Sequence, residues 1–328
     1  MVKLDFVALH LTYICKNKCS YCYIGAKEGK KHPPFETIKC LIEKLAGNGV
    51  REFFLVGGDP CLYPNLKDVV KLIRKLNSKV YIMSNTLDFG KEINFFIENC
   101  DGFQTTVLGH TAEEHDIMVG KKGAYSILVR NIKILNSKGK LVEVAVSVYT
   151  RNFDKIFDLT KNLIENEKLK ISELIVQRIV PCECAINYKF SLTKKQIPII
   201  FKQLFEVKEK YGLVIDFEDP FPLCVIPKEF RCLQRTICRW GLDKASVFFD
   251  GGISRCGADS RSLLGNLFKI KNIQQFWQEN PVLVDFRSRK WLPKECLNCE
   301  FLEKCGGGCS LSRITDKDHE RDILCPFH

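Results

Sequence analysis

Short apolar runs alternate with amphipathic stretches through roughly the first 190 residues of this 328-residue chain. This rhythm is typical of repeated βα units, in which parallel strands are joined by helices that cover the sheet. Six strands are predicted, at residues 7–13, 52–56, 80–84, 102–107, 141–148 and 173–179. The sequence therefore predicts an α/β fold built on a parallel sheet.

The predicted helices between these strands each carry one apolar face. In two of them apolar residues recur at i, i+3, i+4 and i+7, namely Ile38, Leu41, Ile42 and Leu45 in the first and Leu66, Val69, Val70 and Ile73 in the second. A last helix over residues 193–211 precedes Pro220, Pro222 and Pro227, where the βα rhythm stops. We therefore expect a βα domain at residues 1–220 and a smaller, loop-rich domain at residues 221–328.

Composition excludes several classes of protein. The chain is 45% hydrophobic and 27% charged, which is the balance of an ordinary globular protein and not of a disordered or fibrous one. Its apolar runs fall short of the roughly 18 residues that a membrane span requires. Lys3 and Asp5 would interrupt the apolar segment of a signal peptide. We therefore expect a cytoplasmic protein with no membrane partner.

Cysteine is the unusual component, with 17 residues in the chain. A chain of this length can build an apolar core without disulfides, and an odd count leaves at least one cysteine without a disulfide partner in the chain. Metal binding is therefore a better explanation of these cysteines than a disulfide framework. Both zinc and iron–sulfur clusters take thiolate ligands, so both remain open at this point.

The first cysteine group is Cys15, Cys19 and Cys22, with the spacing C-x3-C-x2-C, in the loop directly after the first predicted strand. In parallel α/β barrels the loops that follow the strands carry the active site. Three thiolates can bind three irons of a [4Fe-4S] cluster and leave the fourth iron without a protein ligand. A zinc site or scattered buried thiols are the alternatives.

The second cysteine group lies near the end of the chain. It reads C-x2-C-x5-C-x3-C with one more cysteine downstream, at Cys296, Cys299, Cys305, Cys309 and Cys325. Upstream, Cys238 is followed by Gly251 and then by Cys256. Glycines at 306–308 fill the last gap, and backbone amides without side chains can approach the sulfides of a cluster. This feature favours a cluster over zinc.

With these motifs the chain resembles the radical S-adenosylmethionine (SAM) superfamily over nearly its whole length. Tyr21 precedes the third cysteine, where the family favours an aromatic residue. The family's Gly-Gly-Glu-Pro motif, whose backbone binds the methionine amine of SAM, is matched by Gly57, Gly58, Asp59 and Pro60. Asp59 replaces the family's glutamate, and for the two glycines a tight βα turn is the alternative. The resemblance implies a partial (β/α)6 TIM-like barrel with a SAM-binding [4Fe-4S] cluster on the first cysteine group.

Four further positions match places where relatives hold the methionine carboxylate or the ribose of SAM. They are Ser84 and Asn85 after the third predicted strand, Ser147 on the fifth, and Asn152 after it. The resemblance implies that these residues bind the cofactor. Serine and asparagine at strand ends also form turns, which is the structural alternative for each of them.

The second cysteine group resembles a SPASM domain, the extension that carries two auxiliary [4Fe-4S] clusters in radical SAM enzymes that mostly modify peptides. The resemblance implies an outer cluster on Cys296, Cys299, Cys305 and Cys325. It also implies an inner cluster on Cys238, Cys256 and Cys309, with either Cys232 as the fourth ligand or one iron left open. Because Cys309 and Cys325 would bind different clusters, we expect the domain to fold poorly without them.

Two more cysteines, Cys182 and Cys184, follow Pro181 at the end of the sixth predicted strand. On the rim of a barrel such a thiol could give a hydrogen atom to a substrate radical, which would be a catalytic role, or bind metal. Simple packing is the alternative. His115 and Asp116 are interpreted as part of a capped helix start and not as catalytic groups.

The resemblance implies an enzyme that cleaves SAM reductively and uses the 5′-deoxyadenosyl radical to abstract hydrogen from a substrate. We expect a ribosomal peptide or protein as the substrate, modified by a thioether or carbon–carbon crosslink, by epimerisation or by side-chain oxidation. One alternative is a SPASM enzyme for a small molecule such as a tetrapyrrole side chain, or a sulfatase-type maturase. Another is a non-catalytic protein that only carries electrons.

The implied partners are a peptide or protein substrate and an electron donor such as flavodoxin or ferredoxin. Only 14 residues precede Cys15, so we expect leader binding to need a separate protein or another surface of this chain. The formal net charge of +11 counts every thiol as neutral, and three thiolate-bound clusters would lower it to about +6. Nucleic acid is therefore not an expected partner.

Overall fold

The computed structural model describes residues 2–25, 31–179, 190–258, 263–316 and 319–326, with the backbone alone for residues 313–316 and 319–321. Within this part of the chain, ten strands form one sheet in the order β10-β9-β8-β1-β2-β3-β4-β5-β6-β7. The strands are β1 (Phe6–Thr12), β2 (Glu52–Gly57), β3 (Lys79–Met83), β4 (Gly102–Val107), β5 (Val142–Val148), β6 (Ile171–Arg178), β7 (Val214–Phe217), β8 (Lys244–Phe248), β9 (Gly252–Ser254) and β10 (Leu263–Asn266). All neighbouring pairs among β1 to β8 are parallel, whereas β9 pairs antiparallel with both β8 and β10.

The six predicted strands are all present, shifted by a residue or two at their ends. Strand β1 lies inside the sheet between β2 and β8, and all seven of its residues are buried. A parallel strand covered on both faces reads as a continuous apolar run, which is why this strand was recognisable in the sequence.

Seven helices follow the strands of the first two thirds of the chain. They are α1 (Phe35–Gly47), α2 (Leu66–Lys75), α3 (Ile93–Asn99), α4 (Ala112–Val119), α5 (Ala124–Ser137), α6 (Ile156–Lys161) and α7 (Ile197–Tyr211). The apolar faces predicted for α1 and α2 are the faces that the structure buries. In the part of the chain that the structure describes, none of the helices is both long and apolar enough to cross a membrane.

The end of the βα rhythm differs from the prediction. After α7, the short strand β7 pairs in parallel with β6, and β8 returns to pair in parallel with β1. Four residues at a sheet edge, half exposed in places, give too weak a pattern for β7 to be recognised from sequence. Because β8 belongs to the same sheet as β1, the sheet continues past residue 220. The division into residues 1–220 and 221–328 stays a prediction.

The C-terminal third adds short elements around this sheet. They are α8 (Ile273–Glu279), α9 (Pro281–Ser288), α10 (Lys294–Leu297), α11 (Leu302–Cys305) and the hairpin of β11 (Arg313–Asp316) and β12 (His319–Asp322). The indole of Trp277 is fully buried and donates to the Leu242 carbonyl at 2.6 Å. The Gln274 side chain bonds both the N–H and the carbonyl of Leu4, at 3.0 and 2.7 Å. These contacts fix α8 to the segments just before β8 and β1.

A buried ion pair joins the end of β6 to the end of β12. The Nη2 atom of Arg178 lies 2.7 Å from Oδ2 of Asp322, and the two side chains are 3% and 0% exposed. Arg178 also donates to the carbonyls of Asp219 and Pro220. Asp322 accepts from the backbone N–H of Leu324 at 2.9 Å. Such complete hydrogen bonding is what a buried ion pair needs to offset its desolvation.

Candidate active site and cysteine clusters

One face of the sheet lines a cavity of about 370 Å³ that reaches from β1 round to β8. Alternate residues of each strand face it, such as His10 in β1 and Glu143 and Ser147 in β5, because side chains of a strand alternate between its two faces. Tyr21 from the first cysteine loop and Cys256 from the C-terminal region also line the cavity. The cavity therefore extends from the first cysteine group to a member of the second.

The first cysteine loop is anchored on the end of α4. The N–H of Lys18 donates to the Val119 carbonyl at 2.9 Å, and the N–H of Ser20 donates to the Met118 carbonyl at 3.1 Å. Gly120 ends α4 with φ of +64°, and a Cβ atom there would lie 2.5 Å from the Lys18 carbonyl oxygen. The loop can approach this closely because position 120 has no side chain.

The Gly-Gly-Asp-Pro segment forms the second support of this loop. The N–H of Gly58 donates to the Thr12 carbonyl at 2.7 Å, and the N–H of Asp59 donates to the Ile14 carbonyl at 2.8 Å. A Cβ atom on Gly58 would lie 2.3 Å from the Ile14 carbonyl oxygen, and one on Gly57 would lie 2.3 Å from the Thr12 carbonyl oxygen. Gly57 also has φ of +139°. Both glycines are therefore required by the close approach of two backbones.

Asp59 connects the ends of β2 and β3. Its Oδ1 atom accepts from the Ser84 hydroxyl at 2.9 Å and from the Cys61 N–H at 3.1 Å. Its Oδ2 atom accepts from the Thr86 hydroxyl at 2.8 Å. Pro60 starts a short 3-10 turn directly after it. Two of the predicted cofactor-binding residues, Asp59 and Ser84, are thus brought into direct contact.

Asn85 and Ser147 also lie near the cysteine loop or the cavity. The Tyr21 hydroxyl hydrogen-bonds with the side chains of Asn85 and Cys19. Ser147 is 3% exposed, lines the cavity and donates to Oε1 of Gln177 at 3.2 Å. These residues come from the carboxyl ends of β1, β3, β5 and β6, as expected for one site on a parallel sheet.

The thiols of the first group fit iron ligation by their electrostatics. Cys15, Cys19 and Cys22 are free thiols. The pKa of Cys19 is raised to about 12, chiefly by burial and then by the nearby thiols of Cys22 and Cys15. Burial is also the main cause that raises the pKa of Cys15. Three thiolates here therefore require a positive charge between them, which iron supplies. No group of three His, Cys, Asp or Glu side chains in the described ranges is arranged around a single metal ion.

Comparison with known proteins agrees with this geometry. Residues 9–160 match the family described as the radical SAM superfamily. This region of the chain is a radical SAM domain. The chain is 28% identical over 97% of its length to the antilisterial bacteriocin subtilosin biosynthesis protein AlbA of Bacillus subtilis (strain 168), of which it covers 69%. It is 22% identical over 97% of its length to the PqqA peptide cyclase of Gluconobacter oxydans (strain 621H), of which it covers 90%.

The fold of the chain is also that of solved relatives. The crystal structure of Streptococcus suis SuiB bound to precursor peptide SuiA superposes with a TM-score of 0.78 at 17% identity. The match covers 100% of this chain and 77% of that chain. The predicted α/β fold and the resemblance to SPASM-type radical SAM enzymes are confirmed.

The outer cysteine set of the chain is gathered around Cys305. Burial raises the pKa of Cys305, while the backbone N–H groups of Leu223, Gly307 and Gly308 bond to its sulfur and oppose the shift. The sulfur lies 3.4 Å from the Leu223 nitrogen. The pKa of Cys296 is raised chiefly by a hydrogen bond with Cys325, and then by burial. The amides of the glycine run therefore face a sulfur, as the sequence suggested.

Cys224 joins this outer set, although its sequence context gave it no role. Its pKa is raised to about 12, chiefly by partial burial and then by the charges of Cys325, Cys305 and Cys299. The structure thus places five cysteines where the resemblance implies four ligands. Nothing in the local pattern around residue 224 signals this, because the contact spans about 80 residues of chain.

The inner set is Cys238, Cys256 and Cys309, which act on one another electrostatically. Burial is the main cause that raises the pKa of both Cys256 and Cys309. The Cys309 thiol lies 3.5 Å from Oδ1 of Asp219, a carboxyl group that sequence reasoning could not separate from surface acids. Burial raises the pKa of Asp219 to about 6.

Cys232, the predicted fourth inner ligand, is exposed and donates to the Glu229 carbonyl at 3.7 Å, within its own 3-10 segment. Its ligand role stays a prediction. The two thiols predicted on the rim, Cys182 and Cys184, lie outside the described residues.

Asn152 organises the loop after β5. Its Nδ2 atom donates to the carbonyls of Ser147 and Leu108 at 2.9 and 3.2 Å, and its Oδ1 atom accepts from the Tyr149 N–H at 2.8 Å. The side chain is 2% exposed. These three bonds are those expected of the turn-forming alternative.

The segment around His115 and Asp116 has the expected structural role. The Asp116 carboxylate accepts from the N–H groups of Gly123 and Tyr125 at the start of α5. His115 is 1% exposed and accepts from the Leu108 N–H. Burial lowers the pKa of His115 to about 4. A neutral buried imidazole and a helix cap account for this pair.

Proposed function

We propose that this chain is an enzyme that modifies a ribosomal peptide or protein. The modification would be a thioether or carbon–carbon crosslink, an epimerisation or a side-chain oxidation. The names of AlbA and the PqqA peptide cyclase, and the SuiA peptide bound to SuiB, support a peptide substrate. The single observation that carries the proposal is the cavity that opens to both the first cysteine loop and Cys256.

In this proposal, Cys15, Cys19 and Cys22 hold a [4Fe-4S] cluster with one iron open to SAM. When bound, that cluster supplies the electron that cleaves SAM into methionine and a 5′-deoxyadenosyl radical. The chain's own part is to hold the loop rigidly through Gly58 and Gly120 and to enclose the substrate. Rigid placement matters because reacting atoms must be held within about 3–3.5 Å of each other.

The proposal assigns SAM contacts to the backbone at Gly57 and Gly58 and to the side chains of Asn85 and Ser147. Asp59 and Ser84 would act by fixing the ends of β2 and β3, because their polar atoms bond to each other. A group bound near Ser147 and Tyr21 would lie in the cavity, because both residues are part of its wall.

We further propose that the outer and inner cysteine sets hold two auxiliary [4Fe-4S] clusters. The supporting observation is that each set is gathered from distant segments, with amides directed at Cys305. Cys256 lines the cavity and belongs to the inner set, so that cluster would lie nearest to a bound peptide. A flavodoxin or ferredoxin would supply electrons, and a separate protein would bind the leader of the peptide.

The test is anaerobic reconstitution with iron and sulfide, reduction with dithionite, and mass spectrometry after addition of SAM. We expect 5′-deoxyadenosine from the wild-type protein and none from the Cys22→Ala variant. The matched control is Cys40→Ala, which removes an exposed thiol on α1. A candidate precursor peptide should lose two hydrogen atoms on crosslinking or take up deuterium from solvent on epimerisation. If reduced wild-type protein forms no 5′-deoxyadenosine, the remaining hypothesis is a non-catalytic protein that only carries electrons.

A further inference from the structure

Three polar side chains stand side by side on the cavity face of the sheet. Gln104 in β4 pairs in register with Glu143 in β5, and Glu143 pairs with Glu173 in β6. All three line the cavity. Neighbouring strands lie about 4.8 Å apart, so the three side chains form a continuous row. We call Gln104, Glu143 and Glu173 the acidic row.

The charges in the acidic row oppose each other. Like charges on directly paired residues of neighbouring strands destabilise a sheet. The pKa of Glu143 is raised to about 7, chiefly by burial and then by the charges of Glu173 and Glu218. Burial is also the main cause that raises the pKa of Glu173. Beyond the backbone pairing of the sheet, the side-chain carboxyl group of neither glutamate has a hydrogen bond or ion pair with another residue in the described ranges.

Cations in the wall of the cavity do not neutralise the row. Arg178 is bound to Asp322, and Arg239 is bound to Asp243. Lys244 is the remaining cation among the described residues of the wall, and its ammonium group lies 4.3 Å over an aromatic ring of β1. It acts on both glutamates only through space. Two partly buried carboxylates therefore share one distant cation.

An independent observation points to a missing group in the cavity. Gln104 is 4% exposed, and its Nε2 atom has no hydrogen-bond partner in the described part of the chain. His10, across the cavity in β1, is 1% exposed, and its Nδ1 atom likewise has no described partner. Leaving such buried polar atoms unpaired is costly, so a ligand atom that bonds to them would be stabilised.

An aromatic wall lies next to the row. A Cβ atom on Gly102 would lie 2.9 Å from the Tyr81 ring and 3.6 Å from Oε1 of Glu143, so the ring and the carboxylate approach each other over a glycine. The Tyr81 ring also stacks on Phe54, with 4.4 Å between the ring centroids. A carboxylate beside aromatic rings is an environment that attracts an organic cation.

We propose that the acidic row binds a cationic group of the peptide substrate, such as a lysine or arginine side chain or the N-terminal ammonium, while Gln104 donates to a neighbouring carbonyl. The inference rests on the proposed peptide-modifying function. Ser147 lies four residues further along β5 than Glu143, which is about 13 Å at the rise of a strand. The row therefore selects and positions the substrate at a distance from the cysteine loop, and it takes no part in bond making.

The test uses the reconstituted protein with SAM and two small probes, Nα-acetyl-lysine amide and its uncharged analogue Nα-acetyl-norleucine amide. Binding is measured by isothermal titration calorimetry under anaerobic conditions. We expect a dissociation constant of about 1 mM for the lysine probe, which is what a ligand of this size can reach, and binding at least tenfold weaker for the norleucine probe.

In the double variant Glu143→Gln/Glu173→Gln, we expect the lysine probe to bind at least tenfold more weakly. The affinity for the norleucine probe should be unchanged. The control is Glu98→Gln, which removes an exposed acid on α3. A melting curve shows whether each variant is folded. Gln104→Leu is a second test variant that leaves both glutamate charges in place. We expect it also to bind the lysine probe more weakly.

Equal affinity for the two probes, unchanged binding by the double variant, or no saturable binding of the lysine probe would each overturn the inference. The last outcome would mean that the two carboxyl groups bond to water or share a proton and do not bind a cation. Formation of 5′-deoxyadenosine by the wild-type protein is measured in parallel without a probe. A failure of the proposed enzyme function is thereby distinguished from a failure of the cation site.

Discussion

The substitution Gly58→Ala tests how closely the two supports of the cysteine loop approach each other. The new Cβ atom would lie 2.3 Å from the Ile14 carbonyl oxygen and 2.6 Å from the Ile14 carbonyl carbon. A carbon and an oxygen without a bond between them need about 3.3 Å, so one backbone must move by about 1 Å. Both atoms belong to backbone segments held by the hydrogen bonds at Thr12 and Ile14, so neither can yield cheaply.

The expected cost is that of overpacking, about 1–3 kcal/mol. In a chain of 328 residues this free-energy loss corresponds to a fall in melting temperature of about 1.5–4.5 °C. The displaced loop carries Cys15, so the effect on catalysis should be larger. A shift of about 1 Å at a reacting centre can lower the rate by about 100-fold.

The assay compares melting temperature, bound iron and the rate of 5′-deoxyadenosine formation with those of Gly47→Ala. Gly47 ends α1, and a Cβ atom there would meet nothing within 4 Å. This control should be neutral or stabilised by up to about 1 kcal/mol, because alanine is the better helix residue. If Gly58→Ala keeps the melting temperature and the rate of the control, the close approach of the two backbones is not what holds the loop.

Three further predictions concern the frame around the site. Asp322→Ala should destabilise the protein by about 3–5 kcal/mol in urea titrations because it leaves the Arg178 charge buried alone, and a loss under about 1 kcal/mol would contradict this. For His115, the folded pKa of about 4 lies below the value of 6.5 expected when unfolded, so stability should be constant above pH 6.5 and fall as the pH drops toward 4. Over that pH range the melting temperature of His115→Gln should decline less than that of the wild-type protein. Equal declines in the two proteins would show that His115 does not cause this pH dependence. Thr111→Ala removes the side chain that accepts from the Glu114 N–H at the start of α4. It should lower the free energy of unfolding by about 1 kcal/mol, whereas Thr111→Ser, which keeps the hydroxyl group, should retain the wild-type stability.

Some contacts of the site could not be read from the sequence. Cys224 and Asp219 carry no distinctive spacing, yet the fold places them beside Cys305 and Cys309. The acidic row is equally invisible along the chain, because roughly 70 residues separate Gln104 from Glu173 and only strand pairing makes them neighbours.

Local sequence by itself determined the first six strands, the apolar faces of α1 and α2, and the cysteine spacings of this protein. Each of these depends on side chains a few residues apart, where apolar periodicity and ligand spacing act directly. The tertiary structure alone decided that β8 pairs with β1, that Asp59 bonds to Ser84, and that two glutamates stand side by side in a cavity. Those contacts join distant parts of the chain, and their energies exist only once the sheet has brought the strands together.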